Sequence, residues 1–376
     1  MRVDTAQRLE DVADDWRRLC RETGASPFHG PDFFRAWSAF APHQLRLAVV
    51  RRDGDLAGVL PYLRRPGGIR AAANVHSPSF APVFRDPQAL HALVDGLLGE
   101  APRVAELDGL VGDDPGTALL ARALDRPGWG VESRVALRSP YLDTDGDVEE
   151  FRDRLKERRA KVRRSLRRAQ ALGAVTLSME TGAAAAAAFL GECLAVEASG
   201  WKGSQGTAIA SAPDTLAFYS DLIRWAGRED LLRLFTFRLD GDLLAFKAGI
   251  EWGSDLYLLK RGYLQEASSL GPGFAIDQLV CEHAFATPHL RRVNHLGAAD
   301  AFKLETTTGF TDRVVVSAYR DDLAGRLRRR ADRWGDQALE QVRAVVPPDV
   351  RPVARHLAQG RLGRAARAAA EARRRR

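Results

Sequence analysis

Cysteine and lysine are scarce in this chain, and several familiar signatures are missing from it. Cys20, Cys193 and Cys281 are its only cysteines, spread over 376 residues. That spacing excludes a disulfide framework and reads as buried free thiols. The eight histidines show no ligand spacing with cysteines or acids; His283 and His289, six apart across an expected helix end, come nearest, and no metal is expected. There is no Gly-x-Ser-x-Gly elbow and no Walker loop. No apolar run approaches the roughly 18 residues of a membrane span, and the acidic start MRVDTAQRLEDVADDW lacks a signal-peptide core. A cytoplasmic protein is the expectation, without a transmembrane segment. Lysine supplies six of the 56 basic residues, Lys156, Lys161, Lys202, Lys247, Lys260 and Lys303. They cluster in the middle of the chain and are candidates for roles that arginine does not fill.

The net charge of +7 is unevenly spread. Residues 323–376 hold fifteen arginines against five acids, a net of +10, which leaves 41 basic and 44 acidic residues in 1–322, a net of −3. The basic character therefore belongs to a helical tail ending in Arg373-Arg374-Arg375-Arg376. Nucleic acid, tRNA included, an anionic membrane or an acidic partner are its candidate ligands, and peripheral attachment at the inner membrane face follows from the second.

Periodicity predicts a helix from Arg8 to Cys20, with Leu9, Val12, Ala13, Trp16 and Leu19 on one face, and another from near Pro31 through Phe40. LRLAVVRRDGDLAGVLPYL then reads as a hairpin about Asp53-Gly54. This segment repeats: at a constant offset of 187, residues 45–56 match 232–243 at eight of twelve positions. The same offset lays the helix-like 88–98 on 275–285 and the strand-like 104–110 on 291–297. Two copies of one α/β unit are expected. Their join is DVEEFRDRLKERRAKVRRSLRRAQALG, where Phe151, Leu155, Val162, Leu166, Ala169 and Leu172 keep helical spacing among ten basic residues between 152 and 168. It predicts one long helix ended by Gly173, with a basic face toward an anionic substrate. The expected division is 1–145, a connecting helix over 146–173, 174–322, and the tail 323–376.

In the second copy three strands, broken at Asp240-Gly241-Asp242 and Gly253-Ser254-Asp255, lead into Ser268-Ser269-Leu270-Gly271-Pro272-Gly273 and then the helical FAIDQLVCEHAF. A helix N-terminus behind a Gly-Pro-Gly loop presents free N–H groups and the positive end of the dipole, a site for phosphate or another anion. The first copy has Phe84-Arg85-Asp86 at that offset, and Asp86 would repel a phosphate. The anionic cofactor is therefore assigned to the second copy.

The succession Glu197-Ala198-Ser199-Gly200-Trp201-Lys202-Gly203, Leu239-Asp240-Gly241-Asp242 with Ala245-Phe246, Leu259-Lys260-Arg261-Gly262-Tyr263, Gly271-Pro272-Gly273, Gly297 and Lys303 resembles GNAT acyltransferases of the BioF2-like and CelD-like type. These are relatives of the Fem peptidyltransferases. The resemblance covers about residues 25–320. It implies tandem GNAT-like halves, with mixed sheets flanked by helices, and an N-acyltransferase moving acetyl or a longer acyl group from an acyl-CoA to an amine acceptor. The donor pyrophosphate would lie on the loop formed by Ser268, Gly271, Gly273 and Phe274. Ser268 stands where the family commonly has Gln or Arg, and Leu264 where relatives often have an acid. An attacking amine must be neutral and a departing thiolate benefits from a proton, so Glu197 is the favoured base, ahead of Asp300 and Glu305. Tyr263 is the proton donor, with Tyr257 as alternative. Trp201, Lys202, Lys260 and Lys303 are the candidate substrate-binding residues. Two other readings remain open: a Fem-like aminoacyl-tRNA donor, and a non-catalytic scaffold in envelope or polysaccharide biosynthesis.

Overall fold

The computed structural model describes residues 2–4, 8–199, 206 and 208–345, with side chains described for 8–199, 206 and 208–335. The first copy runs β1 (Arg2–Asp4), α1 (Leu9–Thr23), α2 (Pro31–Trp37), β2 (Leu45–Arg52), β3 (Asp55–Arg65), β4 (Gly68–Ala71), β5 (Val83–Phe84), α3 (Pro87–Gly99), β6 (Val104–Val111), α4 (Pro115–Leu124) and β7 (Trp129–Asp143). Two helices join the copies, α5 (Val148–Arg154) and α6 (Lys156–Gln170). The second copy runs β8 (Val175–Thr181), α7 (Gly182–Ala188), a π-helical turn, α8 (Leu194–Ser199), α9 (Pro213–Arg228), β9 (Leu232–Leu239), β10 (Asp242–Trp252), β11 (Asp255–Tyr263), α10 (Pro272–Ala286), β12 (Arg292–Asn294), α11 (Ala301–Leu304) and β13 (Gly309–Arg320).

The repeat is visible in the backbone. The offset of 187 carries β2 onto β9 and β3 onto β10 end for end. Both connecting Asp-Gly turns have positive φ at both residues, 54° and 93° in the first copy and 50° and 93° in the second. That is the twist-matched hairpin turn. Beyond β4 and β11 the offset changes: Pro87 and Pro272 both open their helices, so Asp86, not Phe84, faces Gly271. The Asp86 carboxylate accepts the Ala89 N–H at 2.9 Å and pairs with Arg52 at 2.7 Å. The helix end expected to take an anion in the second copy is thus closed in the first by the chain's own carboxylate.

The thirteen strands among the described residues share one sheet, in the order β1-β2-β3-β4-β6-β13-β7-β12-β11-β10-β9-β8, with β5 against β3. The order is two-fold symmetric about β13 and β7, and these two strands have changed places. β7, the last strand of the first copy, pairs antiparallel with β12 of the second, Asp143 opposite Arg292. β13 lies beside β6 of the first. Aromatic side chains from the two copies also meet: Phe28 packs edge-on against Tyr257 at 5.0 Å and Phe33 against Phe218 at 5.8 Å. Such pairs add to the area they bury.

Two local expectations change. The join is not one helix: it breaks at Leu155, where the backbone turns to φ −96°, ψ 14°. The break lets α6 lie against α10. Gly182–Ser199 is long and apolar enough by composition to cross a membrane; it includes Glu192 and Glu197, and it packs Ala185, Phe189 and Cys193 into the core. Residues 319–376 form a second compact unit. Its helix α12 (Leu323–Val345) leaves Leu323, Leu327 and Trp334 exposed, while Asp332 accepts from Tyr319 and Arg328. The arginines beyond 345 lie outside the described residues.

Candidate active site

β11 pairs with β12 only from Asp255 to Tyr257. From Leu258 to Tyr263 its outer edge has no strand partner among the described residues, while β10 holds its inner edge throughout. A parallel pair that parts leaves an open wedge, and the two faces of β11 present different groups to it.

On the face toward α10, Lys247 and Arg261 are cross-strand neighbours, as are Ala245 and Tyr263. Lys247 closes on the Asp277 carboxylate of α10, and Arg158 of α6 donates to the same carboxylate at 2.9 Å. All three side chains are at least nine-tenths buried. Burial, and then the facing Arg261, push the Lys247 ammonium down to about 7. Phe274 and Phe302 pack at 5.1 Å, and Arg158, Lys161, Lys247 and Arg261 lie over their rings. Cation–π contacts thus hold a cationic ring around an aromatic centre. Tyr263, at the end of β11, is exposed.

The Gly-Pro-Gly loop borders this ring. Ser268 belongs to a tight turn over Gln265–Leu270, and its carbonyl accepts the Gly271 N–H at 3.0 Å. Gly271 adopts φ 57°, which frees Pro272 to start α10. The Phe274 N–H turns back to the Gly271 carbonyl at 3.1 Å. The Gly273 N–H has no acceptor among the described residues. α6 covers the loop: Arg168 donates to the Ser269 carbonyl at 2.9 Å. A Cβ on Gly271 would come within 3.1 Å of the Ser165 hydroxyl.

On the opposite face, toward α8 and α9, Glu197 is buried beside Gly262, and a Cβ added there would meet the Glu197 Cα at 3.2 Å. Its carboxylate accepts the Ile209 N–H at 2.8 Å and lies 3.9 Å from the Lys260 ammonium. Lys260 sits 4.6 Å over the Tyr219 ring, and the Tyr219 hydroxyl meets His76 of the first copy at 3.2 Å. Burial pushes the Tyr219 phenol up and the His76 imidazole down to about 4.

Of the residues expected from the sequence, Glu197 and Lys260 therefore come together on one face. Tyr263, Phe274 and the loop lie on the other. Lys303 is held by two carbonyls, Leu296 at 2.6 Å and Ala298 at 2.8 Å, and burial pushes it down to about 8. Asp300 caps α11 on the Lys303 N–H, and Glu305 lies 3.1 Å from Arg158. Trp201 and Lys202 lie outside the described residues. His283 and His289 both reach Glu251, at 3.3 and 3.0 Å, and together with Arg233 they hold its carboxyl down at about 2. Among the described residues no three His, Cys, Asp or Glu side chains converge as a metal site. The sequence reading missed Arg158, Asp277, Tyr219 and His76; an acid inside the apolar run FAIDQLV was the signal for Asp277.

A mixed sheet that opens after its parallel pair, with a glycine-led helix at the opening, defines an acyl-transfer fold. Residues 156–304 match the family model described as acetyltransferase (GNAT) domain. The matched segment, GNAT-like by this comparison, begins at α6 and ends at α11. Three solved structures share the fold across both copies. One is the C-terminal domain of a putative lysylphosphatidylglycerol synthetase from Agrobacterium fabrum, at 12% identity, covering 82% of this chain and 92% of that one, with a TM-score of 0.54. L-PGS from Bacillus licheniformis gives 12%, 82%, 92% and 0.52. FemX gives 12%, 85%, 97% and 0.55. No curated protein sequence matches the chain.

Proposed function

We propose that the chain transfers an acyl group from an acyl-CoA thioester to an amine, with the donor on the α10 face and the acceptor on the α8 and α9 face of β11. The observation that carries this is the open edge of β11 beside the Gly271-Pro272 helix start, within the stretch that matches the GNAT model. The donor pyrophosphate would take the Gly273 N–H, the helix dipole and the cations of α6. Ser268, Gly271 and Phe274 shape that loop. The acceptor nitrogen attacks the thioester carbonyl; its proton passes to Glu197, the C–S bond breaks, and the thiolate takes a proton from Tyr263. Lys260 would orient the acceptor from the Glu197 face, and Trp201 and Lys202 are its further candidate contacts. Lys303 acts by holding the turn that carries Phe302. Intact-mass measurement on a panel of amines with acyl-CoAs of different length tests the reading. A product heavier by the acyl group supports it, and none from any pair rejects it. Gly273→Asp should abolish CoA binding in calorimetry, because it places bulk and negative charge beside the Gly273 N–H.

A second donor is favoured by a separate feature. Lys161, Arg163, Arg164, Arg167 and Arg168 are exposed along α6, next to the loop. An aminoacyl-tRNA donor, as in Fem relatives, would meet them with its phosphates. Binding would then fall steeply with salt, and a gel shift without retardation at low salt removes this donor. The basic tail and the fold shared with lysylphosphatidylglycerol synthetases support an anionic membrane surface as a further partner, with the catalytic unit on its cytoplasmic side.

A further inference from the structure

A second cavity, of about 590 Å³, lies within residues 1–318, away from the β11 edge. Tyr257 forms part of its wall, six residues before Tyr263 on β11, so roughly 20 Å separate the two places along the strand. Elements of both copies enclose it: the turn after α1, the segment before β5 and the start of α4 from one, and β11, β12 and β13 from the other. Phe80, Val83, Phe84 and Leu119 make one side apolar.

Arg313 of β13 stands in this wall, 8% exposed, and its Nε and Nη1 have no hydrogen-bond partner. No carboxylate lies within ion-pair distance of it among the described residues. The other charged groups nearby are already engaged or make no pair with it. Arg292 donates to Asp143 at 3.0 Å and Asp255 accepts from Asn294 at 2.7 Å, whereas Asp114, at the N-cap position of α4, makes no side-chain cap bond and no ion pair with Arg313. His29 meets Ser79 at 3.0 Å; burial and Arg313 push its imidazole down to about 4, so it adds no charge near neutrality. A buried guanidinium without a counter-ion is costly, and its planar fork fits the two oxygens of a carboxylate or phosphate.

We infer that this cavity is a second ligand site, which takes a small molecule with an anionic head, carboxylate or phosphate, on Arg313 and an apolar body along Phe80, Phe84 and Leu119. The volume falls in the range of small-molecule sites. It is independent of the acyl-transfer reading, since no residue of the donor loop or of the Glu197 cluster lines it.

The test uses the full chain with phenyl phosphate and 3-phenylpropionate as probes, read by calorimetry and by hydrogen exchange over 23–30 and 79–84. At least one probe should bind and protect both segments, and the preferred probe identifies the head group. Arg313→Met should weaken that binding at least about tenfold without lowering the melting temperature, because it removes an unpaired buried charge. Leu119→Trp, which fills the cavity and leaves Arg313 intact, should weaken it as well. Wild-type protein that binds neither probe at millimolar concentration overturns the inference. So does an Arg313→Met protein that binds as the wild type does; if that variant fails to fold, unchanged binding by Leu119→Trp overturns it instead.

Discussion

Asp277 is the residue on which the donor face depends. It holds Lys247 and Arg158 in a place where both cations are at least nine-tenths buried. Removing one partner of a buried ion cluster leaves the others uncompensated, at a cost of about 3–5 kcal/mol. Asp277→Asn should therefore lower stability by that order in urea titration, while Lys247→Met combined with Asp277→Leu should recover much of it. Gly271 is the second such position. Its left-handed backbone makes any side chain unfavourable by about 1 kcal/mol, and a Cβ would also crowd the Ser165 hydroxyl. Gly271→Ala should lower the melting temperature modestly and weaken donor affinity more, because the strain falls where α6 meets the loop. Equal CoA affinity in the two proteins would separate the loop from donor binding.

Contacts within each copy, and one between the copies, rely on neutral histidines. His76 connects the segment after β4 to α9, His29 connects the turn after α1 to the segment before β5, and His295 bonds Thr306 at 3.2 Å. Burial lowers their values to about 4, about 4 and about 3, whereas the unfolded chain titrates near 6.5. Between these values the unfolded state binds more protons, so stability rises with pH through this window and is lost as pH falls from about 6.5 toward 4. Each histidine is worth about 1–2 kcal/mol at pH 5 by this linkage. Urea midpoints at pH 7 and pH 5 measure it, and His76→Asn should flatten the dependence. At this scale much was legible in the sequence. The Asp-Gly turns, the 187-residue repeat and the α10 start are local signals, and local backbone preferences decide them. The break at Leu155 was not legible, because helical spacing continues through it and only packing against α10 selects the bend. Alternation along β11 separates Lys260 from Tyr263, but the meeting of Glu197 with Lys260 depends on how α8 packs on the sheet, which no local signal reveals. Arg313 was invisible for a simpler reason. An arginine in a chain with fifty of them stands out only when burial and missing partners single it out.

At the scale of the molecule, the exchange of β7 and β13 decides how the chain folds. Each copy keeps its own hairpins, but its last strand is a neighbour of the other copy's sheet. Pairing of such strands requires closing loops of more than a hundred residues, which slows folding without much changing stability. It also makes the copies interdependent. In a fragment of residues 1–145, β7 would lack both of its neighbours, β12 and β13; in a fragment of residues 146–322, β13 would lack both β6 and β7. Unpaired backbone groups on interior strands are costly, and the aromatic contacts of Phe28 with Tyr257 and Phe33 with Phe218 would be lost as well. Neither fragment alone should show a cooperative thermal transition by circular dichroism, whereas the two expressed together should co-purify and regain one. Residues 1–318, which keep every strand pair described, should melt as a single unit. Independent cooperative melting of both fragments would mean that β7 and β13 find partners within their own copies. The two-fold order about them would then contribute little to stability, and the cavity beside Arg313 would belong to an assembly of two separable domains.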